Sequence, residues 1–339
     1  MGSQIHVGVV GATGAIGREV LSVLDRVSWR PDEVSAAASP GTSVHAVDYG
    51  DQNLTVEDAR DLDTGLLDAV ILAAPVGASR DVGERALEDG VVIVDVAGAF
   101  RDEPDVPTVV PWINPEALAH GSVRDVVALP GAPALLLASV LGPLARAGLV
   151  GEVHATVLVP ASAQGRPGIA ELSQQVTALF NSGTPPRRIF PHGLAFDLLP
   201  AVSEPSEDGW TEEEEATVAQ VQALLGGAVP LSATLVGVPV FSGISAEIVL
   251  RPSRRVLPEL ITRILSDAGV GMPDQAGVRF LPRPRRVEGQ AFAQVGRIRS
   301  RDEGRVLHLW VSMDNLRAIA TAAVGLTGAA LRDRIQGGG

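Results

Sequence analysis

The sequence of 339 residues contains no cysteine. This absence excludes disulfide bonds, thiolate zinc sites and a cysteine nucleophile. Histidine is scarce and scattered, with six residues and no His-x-x-x-His pair, so we expect no metal site. The most apolar run, 134–150, is interrupted by Arg146 and by glycines, which favours a buried helix over a membrane span.

Positive charge is also in short supply. The 27 Lys and Arg residues against 40 Asp and Glu residues give a formal net charge of −13. Such a balance argues against binding to nucleic acid or to an anionic membrane surface. No signal peptide is evident, and we expect a soluble, cytoplasmic protein. The length exceeds that of one ordinary core and predicts two domains.

A glycine-rich loop lies near the start of the chain. Residues His6–Val10 form an apolar, strand-like run, the loop Gly11–Gly17 follows, and a helix is predicted over 16–27. In such a unit the glycines let the backbone approach a pyrophosphate, and the helix N-terminus offers unpaired N–H groups. The alternative is a βα turn without a ligand. The residues predicted to contact a dinucleotide are Gly11, Thr13, Gly14, Ala15, Ile16 and Gly17.

Apolar runs alternate with helical segments in the first part of the chain. Continuous apolar strands of this kind are typical of a doubly wound, Rossmann-like parallel sheet with helices on both faces. The predicted strands are 6–10, 34–38, 69–73, 91–96 and 126–129, and the predicted helices are 16–27, 79–89 and 134–147.

The pattern changes after Gly151, where longer strands predict an α+β domain with a mostly antiparallel sheet. Asp314 is placed to cap a last helix, 314–335, which we expect to return to the first domain. The predicted domains are 1–130 with 315–339, and 131–314. The predicted strands are 154–160, 231–242, 246–250, 293–300 and 306–313, with helices at 169–181, 211–225 and 257–268.

Two further segments have a distinctive composition. The proline-rich segment 184–209 predicts an extended loop over a domain surface or at a subunit boundary. The acidic run Glu212–Glu215 indicates the N-terminus of a helix, where the helix dipole favours negative charge.

A set of short segments carries a more specific signal. They are Val9–Gly17, Ala99–Asp102, Asp105–Pro107, Val110–Glu116, Ile189–Pro191, Ala195–Pro200, Val238–Gly243, Leu309–Val311 and Asp314–Arg317. In this order and spacing they resemble the aspartate-semialdehyde dehydrogenase family over nearly the whole chain. The resemblance implies a reductive dephosphorylation of an acyl phosphate, or its reverse. In that family a cysteine forms a thioester, NADPH delivers hydride, a histidine moves protons, and arginines hold the carboxylate and the phosphate.

The positions that this resemblance assigns to reacting side chains hold apolar or small residues. The nucleophile falls on Ala132, and the proton-shuttling histidine falls on Ile244. Because a methyl group cannot attack a carbonyl, we expect no catalytic residue for the family reaction. The supporting glutamine falls on Val159, the substrate arginine on Gly237 and a lysine on Ala216.

Part of the binding apparatus is retained in the resemblance. Arg101 matches the family's phosphate-binding arginine, and Glu213 belongs to its Glu-x-x-Lys motif, so both are candidate substrate or phosphate contacts. The alternative for Arg101 is a salt bridge to a loop acid such as Asp105.

The cofactor positions are half kept. Ser39 matches a polar contact to the adenosine ribose, but residues 40–42 lack the basic contact to a 2′-phosphate, so either NAD or NADP remains open. Residues Ala74–Pro75 and 96–98 replace smaller or more polar residues near the nicotinamide.

We therefore hypothesise a non-catalytic homologue similar to the cysteine-less USG-1-like proteins, which binds a nucleotide or a partner. The alternative is an active NAD(P)-dependent oxidoreductase on an aldehyde or acyl substrate of amino-acid biosynthesis. For this alternative, the nearby hydroxyl groups are those of Ser139 and Ser162. The segments around them show no nucleophile-elbow pattern and no paired histidine, so we expect both hydroxyls to bond to local backbone groups.

The family's mode of assembly suggests a homodimer. Strands 231–242 and 306–313 supply apolar area for a sheet-based interface. Pairing with an authentic dehydrogenase subunit is a second hypothesis.

Overall fold

The computed structural model describes residues 4–119, 125–227, 229–271 and 281–332. By its internal contacts the chain divides into two compact units, Met1–Gly131 with Ile319–Gly339, and Ala132–Ala318. Within the described ranges, no helix is long and apolar enough to cross a membrane.

The first unit is a seven-stranded sheet with the order β3-β4-β2-β1-β5-β6-β7. Every neighbouring pair is parallel except the β3–β4 hairpin, so the predicted Rossmann-like parallel sheet is confirmed. Its elements are β1 (His6–Val10), α1 (Ala15–Leu24), β2 (Glu33–Ala38), β3 (Ala46–Tyr49), β4 (Gln52–Asp58), β5 (Ala69–Leu72), α2 (Val76–Glu88), β6 (Val92–Asp95), α3 (Glu116–Ala119) and β7 (Val126–Ala128).

Two predicted helix boundaries in this unit were wrong. Helix α1 ends at Leu24 rather than at residue 27, where the chain turns and the Asp25 carboxylate pairs with Arg30 at 3.0 Å. Helix α2 begins at Val76 rather than at 79, because the preceding Pro75 is extended, with ψ 148°, and the following residues are free to enter the helix.

The second unit is built on a five-stranded sheet with the order β11-β12-β10-β8-β9. All neighbours are antiparallel except β8 and β9, which confirms the predicted, mostly antiparallel sheet. Helices α4, α6 and α7 pack against this sheet. The elements are α4 (Ala132–Arg146), β8 (Val150–Val159), α5 (Gly165–Phe180), α6 (Glu212–Leu224), β9 (Leu231–Gly237), β10 (Ile244–Pro252), α7 (Pro258–Asp267), α8 (Pro284–Val287), β11 (Gln294–Arg301) and β12 (Val306–Met313).

Strand β9 is shorter than predicted. It ends at Gly237, whereas the sequence predicted a strand to residue 242. Pro239 has no N–H to donate, and the N–H of Val240 turns back to the Val238 carbonyl at 2.8 Å, so 238–243 leaves the sheet as a loop.

The last helix, α9, covers Asn315–Ala330, and from Ile319 onward it belongs to the first unit. The predicted cap is confirmed, since Asp314 Oδ1 accepts the backbone N–H groups of Leu316 and Arg317, each at 3.1 Å. The end of the predicted helix, 333–335, lies outside the described residues.

The loop over 184–209 is held by two buried side chains of α5. The Glu171 carboxylate accepts the backbone N–H groups of Arg188, Ile189 and Phe190, each at 2.9 Å. Gln175 Oε1 accepts two further N–H groups, and its Nε2 donates to the Pro186 carbonyl and to Glu171. Burial alone would raise the pKa of Glu171, but these hydrogen bonds outweigh it and lower the pKa below its ordinary value.

Replacing Glu171 by Gln should loosen this loop, because the amide turns an N–H group toward donors that need an acceptor. We expect a loss of about 2 kcal/mol and amide exchange at 188–190 faster by about 30-fold at pH 7. Since the folded pKa of Glu171 is depressed, its contribution is present above the ordinary carboxyl pKa. The difference from wild type should therefore shrink as the pH falls through the folded pKa.

Hydrogen exchange read by mass spectrometry checks this expectation. The matched control is Glu84→Gln, the same change at an exposed position of α2. Equal protection of 188–190 in wild type and Glu171→Gln would contradict the role given to the carboxylate.

Candidate functional site

The loop after β1 is shaped by close backbone contacts. Gly11 has φ +91°, and a Cβ there would lie 2.5 Å from the backbone of Ala73 and Ala74 at the end of β5. A Cβ at Gly17 would lie 2.1 Å from the Gly11 carbonyl oxygen. Both positions therefore require glycine, and the N-terminus of α1 is brought against the carboxyl ends of β1 and β5.

The start of α1 fits an anionic ligand. Gly14 is the N-cap residue and offers no side-chain hydrogen bond, and the first turn carries no acidic residue. Thr13, Gly14, Ala15 and Ile16 are all half-buried, so they remain accessible from one side. First-turn N–H groups and the helix dipole attract a phosphate at such a position. A dinucleotide's pyrophosphate is the ligand that this loop would hold.

The carboxyl end of β2 lies beside an ion pair that the sequence did not reveal. Half-buried Ser39 follows β2 directly, and its neighbour Ala38 pairs with Asp58 at the end of β4. Asp58 accepts Arg60 Nε at 3.0 Å and Nη2 at 2.7 Å. The side-chain and backbone hydrogen bonds from Arg60 lower the pKa of Asp58 to about 2. The Asp-x-Arg sequence at residues 58–60 would have indicated this ion pair if β4 had been predicted, but it was not.

Arg101 is turned toward backbone carbonyls of the first unit. Its Nε donates to Leu129 O at 2.7 Å and its Nη2 to Val96 O at 3.5 Å. These bonds replace the ion pair with Asp105 that the sequence left open. Burial lowers the pKa of Arg101, and the nearby Asp95 charge opposes that change.

Buried Asp95 fixes the loop on which Arg101 lies. Its carboxylate accepts the backbone N–H groups of Gly98, Ala99 and Phe100 at 2.8 to 3.1 Å. Sequence analysis counted Asp95 only as the end of an apolar strand and missed this role. Three successive N–H donors around one carboxylate explain how a charged residue is tolerated at 0% exposure.

In the second unit, the strand register brings three of the family positions to one end of the sheet. Val159 pairs with Gly237, and Ser245, which follows Ile244, pairs with Leu158. These ends of β8, β9 and β10 are apolar, since Val159 is 9% exposed and Ile244 only 1%. The arrangement supplies neither a proton carrier nor a cation at these three positions.

The space beside Gly237 is occupied. A Cβ on Gly237 would lie 3.1 Å from Leu199 Cβ, and the two residues exchange backbone hydrogen bonds of 2.8 and 3.0 Å. A larger side chain at this position would have to displace Leu199, which belongs to a small cluster with buried Phe190 and Leu194.

Ala132 is the first residue of α4 and is half-buried. A helix N-terminus lowers the pKa of a thiol and favours the thiolate, but a methyl group makes no use of that field. Ala216 is half-buried on α6 and likewise carries no charge.

The acidic run at the start of α6 is mainly structural. Thr211 and Glu214 form a capping box, with bonds of 3.0 and 3.2 Å, and Glu214 Oε1 also accepts the Leu235 N–H at 2.9 Å. This confirms the predicted helix start. Glu213, the candidate substrate contact, is exposed and accepts a hydrogen bond from the Ser203 hydroxyl.

The two serines considered as alternative nucleophiles are both engaged. Ser139 donates to the Leu135 carbonyl at 2.7 Å, as expected. Ser162 is paired instead with the Asn315 side chain, at 3.0 and 3.2 Å, so the expectation of a bond to local backbone was wrong for it. In the described part of the chain, no three His, Asp or Glu residues cluster as a metal site requires.

Comparison with known protein families also finds two parts in the chain. Residues 6–121 match the model "Semialdehyde dehydrogenase, NAD binding domain", and residues 141–318 match "Semialdehyde dehydrogenase, dimerisation domain". Aspartate-semialdehyde dehydrogenase of Rickettsia bellii is 31% identical over 322 residues, 94% of each chain.

Two further relatives extend the likeness to the whole chain. A USG-1 protein homolog of Pseudomonas aeruginosa is 31% identical over 335 residues, 97% of this chain and 98% of its own. The crystal structure of aspartate semialdehyde dehydrogenase II from Vibrio cholerae superposes with a TM-score of 0.90 at 28% identity, covering 98% of this chain and 99% of that one. The chain therefore belongs to the semialdehyde dehydrogenase family.

Proposed function

We propose that this chain is a non-catalytic member of its family, which binds a nucleotide or a protein partner and does not carry out reductive dephosphorylation. The observation that carries the proposal is Ala132 at the start of α4, in the position that the family resemblance gives to the nucleophile. With no cysteine anywhere in the sequence, no other residue forms the thioester on which hydride transfer depends.

The surroundings support the same conclusion. Val159, Gly237 and Ile244 meet at one end of the sheet and replace the supporting amide, the carboxylate clamp and the base. Leu199 packs against Gly237, so a long side chain at this position would have no room. A change of mechanism explains the loss of one group, but not the joint loss of nucleophile, base and clamp.

We expect the wild-type chain to produce no reduced NAD or NADP from aspartate semialdehyde and phosphate. Ala132→Cys alone should not restore turnover, because Gly237 and Ile244 still provide neither a carboxylate clamp nor a proton carrier. The measurement is nucleotide absorbance with protein purified from a host that lacks its own dehydrogenase gene.

Ala132→Ser is the matched control for Ala132→Cys, since it adds a similar volume without a thiol. An authentic dehydrogenase assayed in parallel sets the scale. Turnover by the wild-type chain above the host background would refute the proposal and favour the active oxidoreductase.

We also propose that the loop Gly11–Gly17 retains dinucleotide affinity, with the adenosine half held more firmly than the nicotinamide half. The first turn of α1 contains no acidic residue. The resemblance places Ala74–Pro75 where the family has two glycines near the nicotinamide, and the larger residues leave less room there. Arg60 is committed to Asp58 by two hydrogen bonds at the strand end next to Ser39, which disfavours a 2′-phosphate there. NAD is therefore the better candidate ligand.

Gly14→Val should abolish nucleotide binding without unfolding the protein. Gly14 has φ −71°, and its Cβ would lie 3.1 Å from Gly11 O, which requires only a small shift. The valine methyl groups would stand where the pyrophosphate lies. Wild type should gain thermal stability with NAD by mass action, and Gly14→Val should gain none.

Gly65→Val is the control. Gly65 lies before β5, at the amino ends of the parallel strands, whereas the loop Gly11–Gly17 lies at their carboxyl ends. A Cβ at Gly65 would make only an ordinary contact of 3.4 Å. Equal affinity of wild type and Gly14→Val would place the site elsewhere. No binding by either would make the loop a structural remnant.

We propose a homodimer formed through the sheet of the second unit. The apolar-area argument from the sequence needs correction, because Leu307, Leu309 and Val311 are fully buried while His308 and Trp310, which alternate with them, are half-buried. The face of the sheet that carries His308 and Trp310 is therefore the surface that remains for association. An authentic dehydrogenase subunit with the same fold is the hetero-partner we would seek by co-purification.

Charged clusters give that face its specificity. Glu247 accepts Arg299 at 2.7 Å and His308 at 3.0 Å, and His154 contacts Ser232 and Glu152. Burial would raise the pKa of Glu247, but His308 and Arg299 outweigh it and lower the pKa. These pairs are made within one subunit, so they hold the charged groups of that face in place before association.

Light scattering at micromolar concentration should give twice the chain mass of 35.1 kDa. Thr156→Arg adds a charge beside Glu247, its β-ladder partner on the exposed face, and should shift the protein toward monomer. Thr262→Arg on the exposed side of α7 is the matched control and should remain dimeric. A monomeric wild type would remove the proposal, which needs an interface of about 1,200 Å² or more.

A further inference from the structure

A cavity of about 780 Å³ lies within the second unit. One wall is the loop 239–243, which follows β9. The other is the segment 283–288 around α8, and Asp314 lies at the edge. The loop 239–243 provides apolar surface, including Phe241, whose side chain is 48% exposed.

The second wall is strongly cationic. Arg283, Arg285 and Arg286 all line the cavity and are exposed. In the described part of the chain, none of these three arginines forms an ion pair. Other arginines do, among them those at positions 30, 60, 80, 251, 255 and 299. Three guanidinium groups thus face one space in a chain whose formal net charge is −13.

The acidic residues of the lining do not neutralise these arginines. Asp314 is committed to backbone donors, since Oδ2 accepts the Gly289 N–H at 2.8 Å and Oδ1 accepts Leu316 and Arg317. Glu288 is exposed. The lining therefore keeps an excess of positive charge available to a ligand.

The two walls are fixed before any ligand arrives. Gly243 has φ +90°, and a Cβ there would lie 2.7 Å from Pro284 Cα, so the walls touch at this point. The Gly243 N–H donates to Asn315 Oδ1 at 3.0 Å, and Trp310 Nε1 donates to the Pro282 carbonyl at 2.9 Å. A preformed cavity does not need to spend binding energy on ordering its walls.

We propose that this cavity binds a small organic anion, a phosphate or a carboxylate attached to a planar or apolar body. The guanidinium groups hold the oxyanion through paired N–H donors, which match both phosphate and carboxylate geometry. The body packs on Phe241 and Pro239. The lining contains none of the family positions at 132, 159, 216, 237 and 244. The cavity borders those positions without including them, since Gly243 directly precedes Ile244. The proposal does not rest on the proposed nucleotide binding.

The test uses phenyl phosphate, benzoate and inorganic phosphate as probes, with benzylamine as a cation of similar shape. Calorimetry on the full chain should show binding of the aromatic anions and none of benzylamine. Arg285→Gln/Arg286→Gln should weaken phenyl phosphate about tenfold or more. The matched control, Arg254→Gln/Arg263→Gln, removes the same charge from exposed positions of the same unit and should leave affinity unchanged. The ratio of phenyl phosphate to benzoate affinity distinguishes the two oxyanions.

Phe241→Ala separates the two halves of the site. It should weaken phenyl phosphate and leave inorganic phosphate unchanged. Titrations repeated in Gly14→Val distinguish this cavity from the nucleotide loop, because binding should persist there. The single variants Arg285→Gln and Arg286→Gln serve if the double variant does not fold.

Three results would overturn the proposal. The first is that wild type binds no aromatic anion at millimolar concentration. The second is that the control double variant loses as much affinity as Arg285→Gln/Arg286→Gln. The third is that Arg285→Gln/Arg286→Gln becomes a monomer. The last would assign the arginines to a subunit interface.

Discussion

The hydrogen-bonded register of β8, β9 and β10 is the constraint on which the second unit depends. Backbone ladders set which residues meet at the strand ends, and they do so whatever side chains those residues carry. Val159, Gly237 and Ile244, the positions that the family resemblance gives to the glutamine, the arginine and the histidine, therefore lie at one end of the sheet. A TM-score of 0.90 at 28% identity shows in the same way that the backbone geometry is shared although most side chains differ.

Loops in both units are fixed by one device, a buried carboxylate that accepts consecutive backbone N–H groups. Asp95 holds residues 98–100 and Glu171 holds residues 188–190. Each loop also buries one aromatic side chain, since Phe100 is 1% exposed and Phe190 is 8% exposed. In both loops the hydrogen bonds to three backbone N–H groups offset the cost of burying the carboxylate.

Sequence reasoning succeeded where the signal is local. β5 and β6 are continuous apolar runs, and Asp314 stands directly before its helix, so both features could be read along the chain. The β3–β4 hairpin was missed because its short strands are rich in polar, exposed residues, and β9 was drawn too long across Pro239.

Features that depend on distant residues were beyond that reasoning. Glu171 is 17 to 19 residues from the N–H groups it accepts. The cavity walls at 239–243 and 283–288 are separated by β10, α7 and the residues after them. Arg101 had the right residue type for a phosphate contact. The sequence did not reveal that its guanidinium group donates to backbone carbonyls 5 and 28 residues away.

Two places in an acidic chain favour an anion, and they do so by different means. The overall charge of −13 repels anionic ligands at long range, but salt confines that repulsion to roughly 8 Å at physiological ionic strength. Within that distance the local donors decide. At the start of α1 the donors are backbone N–H groups, which persist through most side-chain replacements as long as the glycines remain. Beside α8 they are arginine side chains, which single substitutions remove. The proposed nucleotide site would therefore outlast a loss of the reaction, whereas the proposed cavity site depends on the three arginines that this sequence places within four residues.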